Sequence, residues 1–212
     1  LYYALVAPAL TPFDLGKQPV EPDLNPFLYD GSTSVNYVVG SPPNPAMDSA
    51  IMALRSGRLV GVLISTLSLI FVYLAGRRLW PSRPSLSLAA ASVYGFWPQF
   101  VFLGSVMTND LLVIALSAVL VYVIVRALQD GLTVANTVVM ATVVAAAILT
   151  KLNGLALAIP MALTVIVGVV RSRPGRATWL ALVAVILLVA LAVVALSGME
   201  FVTGQVFKLE TL

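Results

Sequence analysis

Residues 59–76 read LVGVLISTLSLIFVYLAG and contain no charged side chain. A helix rises about 1.5 Å per residue, so this stretch would span about 27 Å, close to the thickness of the hydrocarbon layer of a bilayer. The 212-residue chain is 60% hydrophobic and only 10% charged, with a mean hydropathy of +1.00, whereas soluble domains carry about 25% charged residues. Lipid is therefore the main solvent of this chain.

Five further apolar runs follow, so we predict an all-α, polytopic helical membrane protein with about six transmembrane helices. The runs cover residues 85–97, 111–128, 134–150, 155–170 and 178–196. The second of the six runs, at residues 85–97, is short, and Pro98 predicts that it continues beyond a kink. Pro160 predicts a kink in the fifth run.

The first 50 residues contain eight of the 13 prolines. Proline removes backbone donors, and irregular backbone is not tolerated facing lipid, so this stretch is not a span. We predict three regions: an extracytoplasmic interfacial segment and Pro-rich loop at residues 1–58, a transmembrane region at 59–196 and an extracytoplasmic tail at 197–212. Residues 1–10 are expected to end a short interfacial helix.

Basic residues in alternate short connections predict the orientation, because cytoplasmic loops are enriched in Lys and Arg. One side carries a single acid, Asp130, and seven arginines: Arg77, Arg78, Arg83, Arg126, Arg171, Arg173 and Arg176. We predict that this side is cytoplasmic, in a multi-pass protein of the bacterial cytoplasmic membrane, and that Asp110 and Lys151 face outward. These arginines dominate the net charge of +3 and favour anionic headgroups; no nucleic-acid partner is expected.

The chain has no His and no Cys. This composition excludes His-based triads, thiolate metal sites and a disulfide framework. Chemistry must instead use carboxylates, amides, hydroxyls, Lys or Arg. Charged groups at helix mouths in a membrane are costly unless they are paired or hydrated, so they are the candidate functional residues.

Asp110 is the candidate catalytic residue, and Asn109, Lys151 and Arg58 are the candidate substrate-binding residues. Asp110 begins the third run and could meet a sugar hydroxyl, a cation or a basic partner, or, with Thr108 and Asn109, simply cap a helix. Lys151 could supply a positive charge for a lipid-linked phosphate or extend to the headgroups. Arg58 could bind phosphate or anchor the chain at the interface.

Four stretches together resemble the membrane region of GT-C fold glycosyltransferases, the group that contains protein O-mannosyltransferases and the lipid A aminoarabinose transferase. They are LYYAL at residues 1–5 with Ala7-Pro8, Leu54-Arg55 with YLAGRRLWP at 73–81, FWPQF at 96–100 leading to NDL at 109–111, and LTKLNG at 149–154. The order and spacing of these degenerate motifs carry the resemblance.

The resemblance implies transfer of a sugar from a polyprenyl-phosphate donor on the outer face of the membrane. It implies direct displacement with inversion, an acid of the first outer loop as general base and, in many members, a divalent cation at the donor phosphate; the residues themselves identify no cofactor. Carried over to this sequence, Asp110 would be a second acid at the substrate cavity, and Lys151 would meet the phosphate.

In that family the catalytic acid precedes the Leu-Tyr-Tyr segment, and the sequence begins at Leu1. Two hypotheses therefore stand. The chain is part of a glycosyltransferase, or it is a non-catalytic accessory subunit that packs against other membrane subunits of a larger respiratory or photosynthetic complex. A transporter is a weaker alternative, because no span carries a charge near its midpoint.

Overall fold

The computed structural model describes residues 1–13, 23–24, 37–38 and 45–172, together with positions 175, 176, 179, 180 and 183. The prediction of an all-α membrane protein is confirmed, and within these residues the only strands form one antiparallel pair of two residues each. The elements are α1 (Tyr2–Leu10), β1 (Asp23–Leu24), β2 (Tyr37–Val38), α2 (Pro45–Leu79), α3 (Pro84–Gly95), α4 (Pro98–Ser105), α5 (Asn109–Asp130), α6 (Val134–Thr150), a 3-10 helix (Leu152–Leu157) and α7 (Ala158–Ser172).

Three stretches are long and apolar enough to cross a membrane: Ile51–Leu79, Asn109–Asp130 and Leu152–Arg171. A fourth candidate span is the pair α3 and α4, and α6 is a shorter apolar helix of 17 residues. The predicted count of six is thus not reached by the described residues. Most of the sixth predicted run, at 178–196, lies outside them.

Helices α3 and α4 form one broken crossing rather than a loop that returns to its own side. They are bent by 62° at the break before Pro98, as the proline predicted. Along α2 the contacts run in antiparallel order, with Gly76 against Ser87, Leu69 against Gly95, and Ser65 against Gly104. The pair α3 and α4 therefore lies alongside α2 over most of the length of the pair. Small residues at these crossings let the backbones approach closely, which favours helix packing in lipid.

The two ends of the bundle are marked by ion pairs, and we name each end after its acid. At the Asp130 end, Arg78 Nη1 lies 2.9 Å from Asp130 Oδ2, so the C-terminal ends of α2 and α5 lie side by side. Gln129 Nε2 donates to the Arg78 carbonyl oxygen at 2.9 Å and strengthens this junction. The Asp110 end holds the start of α5, and Gly57 of α2 packs there against Met107.

Helices α6 and α7 cross between the same two ends. Gly131, with φ of 92°, ends α5 in a conformation that suits glycine and reverses the chain into α6. After α6 the 3-10 helix brings Gly154 so close to the Ala147 backbone that a Cβ atom would overlap it. Helix α7 then returns to the Asp130 end, where Gly168 packs against Leu132. Pro160, for which a kink in the fifth run was predicted, lies in the first turn of α7, where proline fits without losing a hydrogen bond.

The core of the bundle is small, and large apolar side chains cover its outside. Two buried clusters hold it together, one around Leu120, Met140 and Ile148 and one around Tyr2 and Leu111. The outward-facing apolar side chains include Leu63, Val93, Phe96, Ile159 and Val170, each more than 60% exposed. An outer surface of exposed apolar side chains is expected of helices that face hydrocarbon.

Candidate functional site

The candidate site begins where α5 starts. Thr108 has an extended backbone (φ −136°, ψ 142°) and caps the helix, because its hydroxyl oxygen accepts a hydrogen bond from the Asp110 amide at 3.3 Å. Asp110 lies in the first turn, where the helix dipole favours a negative charge. Since Thr108 provides the cap, the Asp110 carboxylate is available for another partner.

That partner is Lys151. The residue ends α6 in an extended conformation (φ −160°, ψ 140°), and its Nζ lies 2.5 Å from Asp110 Oδ1 although 41 positions separate the two residues. The tight approach of Gly154 to Ala147 fixes the turn that carries it, and the Gly154 amide donates to the Lys151 carbonyl oxygen at 2.8 Å. The two outward turns predicted separately from the sequence thus form one site.

The Asp110–Lys151 pair is open to a ligand. The side chains are 41% and 36% exposed, respectively, and an ion pair this exposed contributes at most about 1 kcal/mol. A more highly charged oxyanion could therefore replace the carboxylate at the ammonium group. Beside Lys151, the 3-10 helix lines an open depression of about 580 Å³, with Asn153 and Leu155 among its walls.

Tyr2 packs against the start of α5, the helix that carries Asp110. Its side chain is only 1% exposed and joins the buried cluster that contains Leu111. Its hydroxyl is buried and has no hydrogen-bond partner among the residues that the structure describes. Burial raises the pKa of Tyr2, and the nearby Thr108 backbone offsets part of that rise. The motif containing Tyr2 drew attention in the sequence, but its packing beneath the start of α5 depends on tertiary contacts and was not predicted.

The other two candidate residues are placed differently. Asn109 is the first residue of α5, is half-buried and adjoins Asp110. Arg58 is exposed and follows Gly57, which packs against Met107. It lies at the same end of the bundle but forms no ion pair within the described part of the chain. The structure therefore brings together Asp110, Asn109 and Lys151 and does not join Arg58 to them.

The described residues do not by themselves fit a divalent cation. Nowhere among them do three His, Cys, Asp or Glu side chains gather, and the one carboxylate of the candidate site already faces the Lys151 ammonium group. Cations such as Mg²⁺ and Ca²⁺ prefer several oxygen ligands. We therefore derive no chemical step through a metal.

The bundle of apolar helices defines an integral membrane protein. The charged pair at one helix end gives it a polar site at one end of the bundle. Residues 50–196 match the family model of the dolichyl-phosphate-mannose-protein mannosyltransferases, and the chain belongs to this family. It is thus a membrane glycosyltransferase-like protein, and the family implies a lipid-linked sugar donor. The matched range contains Arg58, Asn109, Asp110 and Lys151. No curated protein and no solved structure gives a significant match to the chain.

Proposed function

We propose that this protein takes part in the transfer of a sugar from a polyprenyl-phosphate donor to an acceptor hydroxyl at the Asp110 end of the bundle. The observation that carries the proposal is the 2.5 Å contact between Asp110 and Lys151 at a helix mouth. The family description supports the donor class, because dolichyl phosphate is a polyprenyl phosphate.

Lys151 would bind the donor phosphate. When the bond between the anomeric carbon and the phosphate oxygen breaks, negative charge builds up on the leaving phosphate, and a nearby ammonium group stabilises it. The weak, half-exposed contact with Asp110 suits this role. The donor phosphodiester carries one negative charge, as the carboxylate does, but the phosphate monoester that leaves gains a second negative charge, which the ammonium group would bind more strongly.

Asp110 would serve the acceptor. As the acceptor oxygen forms its new bond to the anomeric carbon, its proton must leave, and a carboxylate within hydrogen-bond reach can orient the hydroxyl or accept that proton. Asn109 lies beside Asp110 and would bind a sugar hydroxyl through its amide. The resemblance also implies a base in an outer loop, so Asp110 would be one of two acids.

The distribution of charge supports an outward orientation for the Asp110 end. Among the described residues, the Asp130 end carries Arg77, Arg78, Arg83, Arg126 and Arg171 against a single acid, Asp130. Basic residues favour the cytoplasmic side, so we propose that the Asp110 end faces outward in a bacterial cytoplasmic membrane.

The test is sugar transfer by the full-length protein in nanodiscs, with mannosyl-phosphoryl-polyprenol as the donor probe. We expect Asp110→Asn to lower the transfer rate about 100-fold or more, as is typical when a group that handles a proton is removed. Lys151→Ala should lower kcat and raise the KM for the donor. Asp130→Asn removes an acid from the opposite end and should leave the rate unchanged.

Transfer at the wild-type rate by Asp110→Asn and Lys151→Ala would overturn these site assignments. The accessory-subunit hypothesis predicts no transfer by the wild-type protein under conditions where a catalytic relative is active. It also predicts that stoichiometric membrane partners copurify in mild detergent. Wild-type transfer that depends on Asp110 would exclude it.

A further inference from the structure

A groove between α2, α3 and α5 opens toward the Asp130 end of the bundle. It has a volume of about 460 Å³ and extends from Tyr94 and Ile114 to Leu79 and Trp80. From Val72 to Leu79 the wall follows α2 for about 10 Å at a rise of about 1.5 Å per residue. This length fits a segment of a hydrocarbon chain.

The groove offers almost no free polar group. Of its lining residues, Ser117 donates its hydroxyl to the Val113 carbonyl oxygen at 2.8 Å, and the Tyr94 hydroxyl pairs with Ser68 at 2.7 Å. The remaining lining side chains are apolar, apart from the indole N–H group of Trp80 at the open end. A water-soluble ligand would gain little here, whereas an acyl chain would leave no buried polar group unpaired.

Two arginines beside the open end of this groove have no acidic partner among the described residues. Asp130 is shared by Arg78 at 2.9 Å and Arg126 at 3.8 Å. In contrast, Arg77 donates to the Pro81 carbonyl oxygen at 3.3 Å, and neither Arg77 nor Arg83 forms an ion pair with any residue that the structure describes.

The turn that joins α2 to α3 connects these arginines to the groove. The Arg83 amide donates to the Trp80 carbonyl oxygen at 3.1 Å, and Trp80 lines the end of the groove. Its indole ring is 42% exposed. Tryptophan favours the boundary between hydrocarbon and headgroups. Arg77 and Arg83 are thus placed near headgroup depth, and the groove extends from there toward the middle of the bundle.

We propose that one anionic phospholipid binds at this end, with its phosphate at Arg77 and Arg83 and part of one acyl chain in the groove. A guanidinium group matches a phosphate in both charge and geometry. A soluble anion would contact only the arginines, and a neutral lipid would contact mainly the groove. An anionic phospholipid contacts both. The site lies at the opposite end from Asp110 and Lys151, so it does not depend on the proposed function.

The first experiment compares two lipids that differ only in the headgroup. The full-length protein is delipidated in detergent and titrated with phosphatidylglycerol or with phosphatidylcholine of the same acyl chains, and bound lipid is counted by native mass spectrometry. We expect one tightly bound phosphatidylglycerol, with affinity falling about fivefold in Arg77→Gln and in Arg83→Gln. Arg55→Gln changes an exposed arginine at the other end and should have no effect.

The second experiment tests the groove. Val121 lines it and is 51% exposed, so Val121→Trp should occupy part of the groove from its exposed side without burying new bulk in the core and should weaken phosphatidylglycerol binding severalfold. Val139→Trp is the matched control, because Val139 on α6 is 43% exposed and is not among the groove residues. Equal binding of the two lipids by the wild-type protein would overturn the proposal. It would also be overturned by full displacement with millimolar glycerol phosphate, or by unchanged binding in a monodisperse Val121→Trp protein.

Discussion

Lys151 Nζ lies 2.5 Å from Asp110 Oδ1 and joins the end of α6 to the start of α5. Both side chains are more than a third exposed, at 36% and 41%. Water screens such a pair, so it adds little to the stability of the fold. Its two charges are consequently available to ligands, and their functional and structural contributions can be separated by experiment.

The first prediction concerns the stability of this pair. Asp110→Asn and Lys151→Met should each change the free energy of unfolding by less than about 1 kcal/mol, because the pair is half-exposed. Reversible unfolding in detergent, measured for both single variants and the double variant, gives the coupling energy. A coupling energy above about 3 kcal/mol would mean that the pair behaves as a buried one.

The second prediction concerns Tyr2. Its folded-state pKa is raised by burial above the ordinary value, so the folded state holds the phenol proton more tightly than the unfolded state does. Stability from this group is therefore fully present below about pH 10 and is lost as the pH rises through the folded-state pKa.

Tyr2→Phe tests this, because phenylalanine keeps the ring and removes the hydroxyl. We expect the variant to be at least as stable as the wild type at pH 7, since the hydroxyl has no hydrogen-bond partner in the described part of the chain. Above pH 10 it should lose less stability than the wild type. Tyr3→Phe is the control, since Tyr3 is 65% exposed. Thermal unfolding between pH 7 and 11 provides the measurement, and identical pH profiles for Tyr2→Phe and wild type would contradict the prediction.

The third prediction concerns Gly154. A Cβ atom there would overlap the backbone of Ala147, so Gly154→Ala must displace the 3-10 helix and should cost about 1–3 kcal/mol. Because Gly154 is hydrogen-bonded to Lys151, the displacement should also slow sugar transfer. Gly175→Ala is the matched control, since a Cβ there meets no atom of the described residues within 4 Å. Equal stability of the two variants, measured by unfolding in detergent, would show that the approach is looser than described.

The fourth prediction concerns the hydrogen bond between Ser68 of α2 and Tyr94 of α3. Their hydroxyl oxygens lie 2.7 Å apart. Ser68 is fully buried, so removing either hydroxyl leaves the other without its partner. A double-mutant cycle with Ser68→Ala and Tyr94→Phe should give a coupling energy of about 0.6 kcal/mol and no more than about 1.7 kcal/mol, the mean and the maximum of such couplings between membrane-spanning helices. Strictly additive effects on unfolding would show that the hydroxyls do not interact in the membrane-embedded protein.

Much of the helical organisation is predictable because it rests on local properties of the chain. Long apolar runs predict the helices, and Pro98 predicts the bend between α3 and α4, which the structure places at that position. The effect of Pro160 depends on where its helix begins, and α7 begins two residues before it, at Ala158. That start follows the 3-10 helix, in which Gly154 packs closely against Ala147, a tertiary contact that no local pattern reveals.

The candidate site was predictable as a set of residue types but not as an arrangement. Asp110 and Lys151 could each be chosen because charge is expensive at a helix mouth. Considered separately, Asp110 could equally well cap a helix, and Lys151 could equally well extend to the headgroups. Their pairing depends on α5 and α6 packing in register, and the same packing leaves Arg58 apart from the pair.

By itself, the sequence determined that lipid is the solvent, that the fold is helical, and that His and Cys chemistry is absent, because composition and hydrophobic run length act locally. Only the tertiary structure decided that α3 and α4 cross together, that Asp110 meets Lys151, and that Arg77 and Arg83 lack acidic partners within the described chain. These features depend on contacts between distant segments. In lipid, close packing of small residues and interhelical polar contacts select those contacts, and hydrophobicity alone does not.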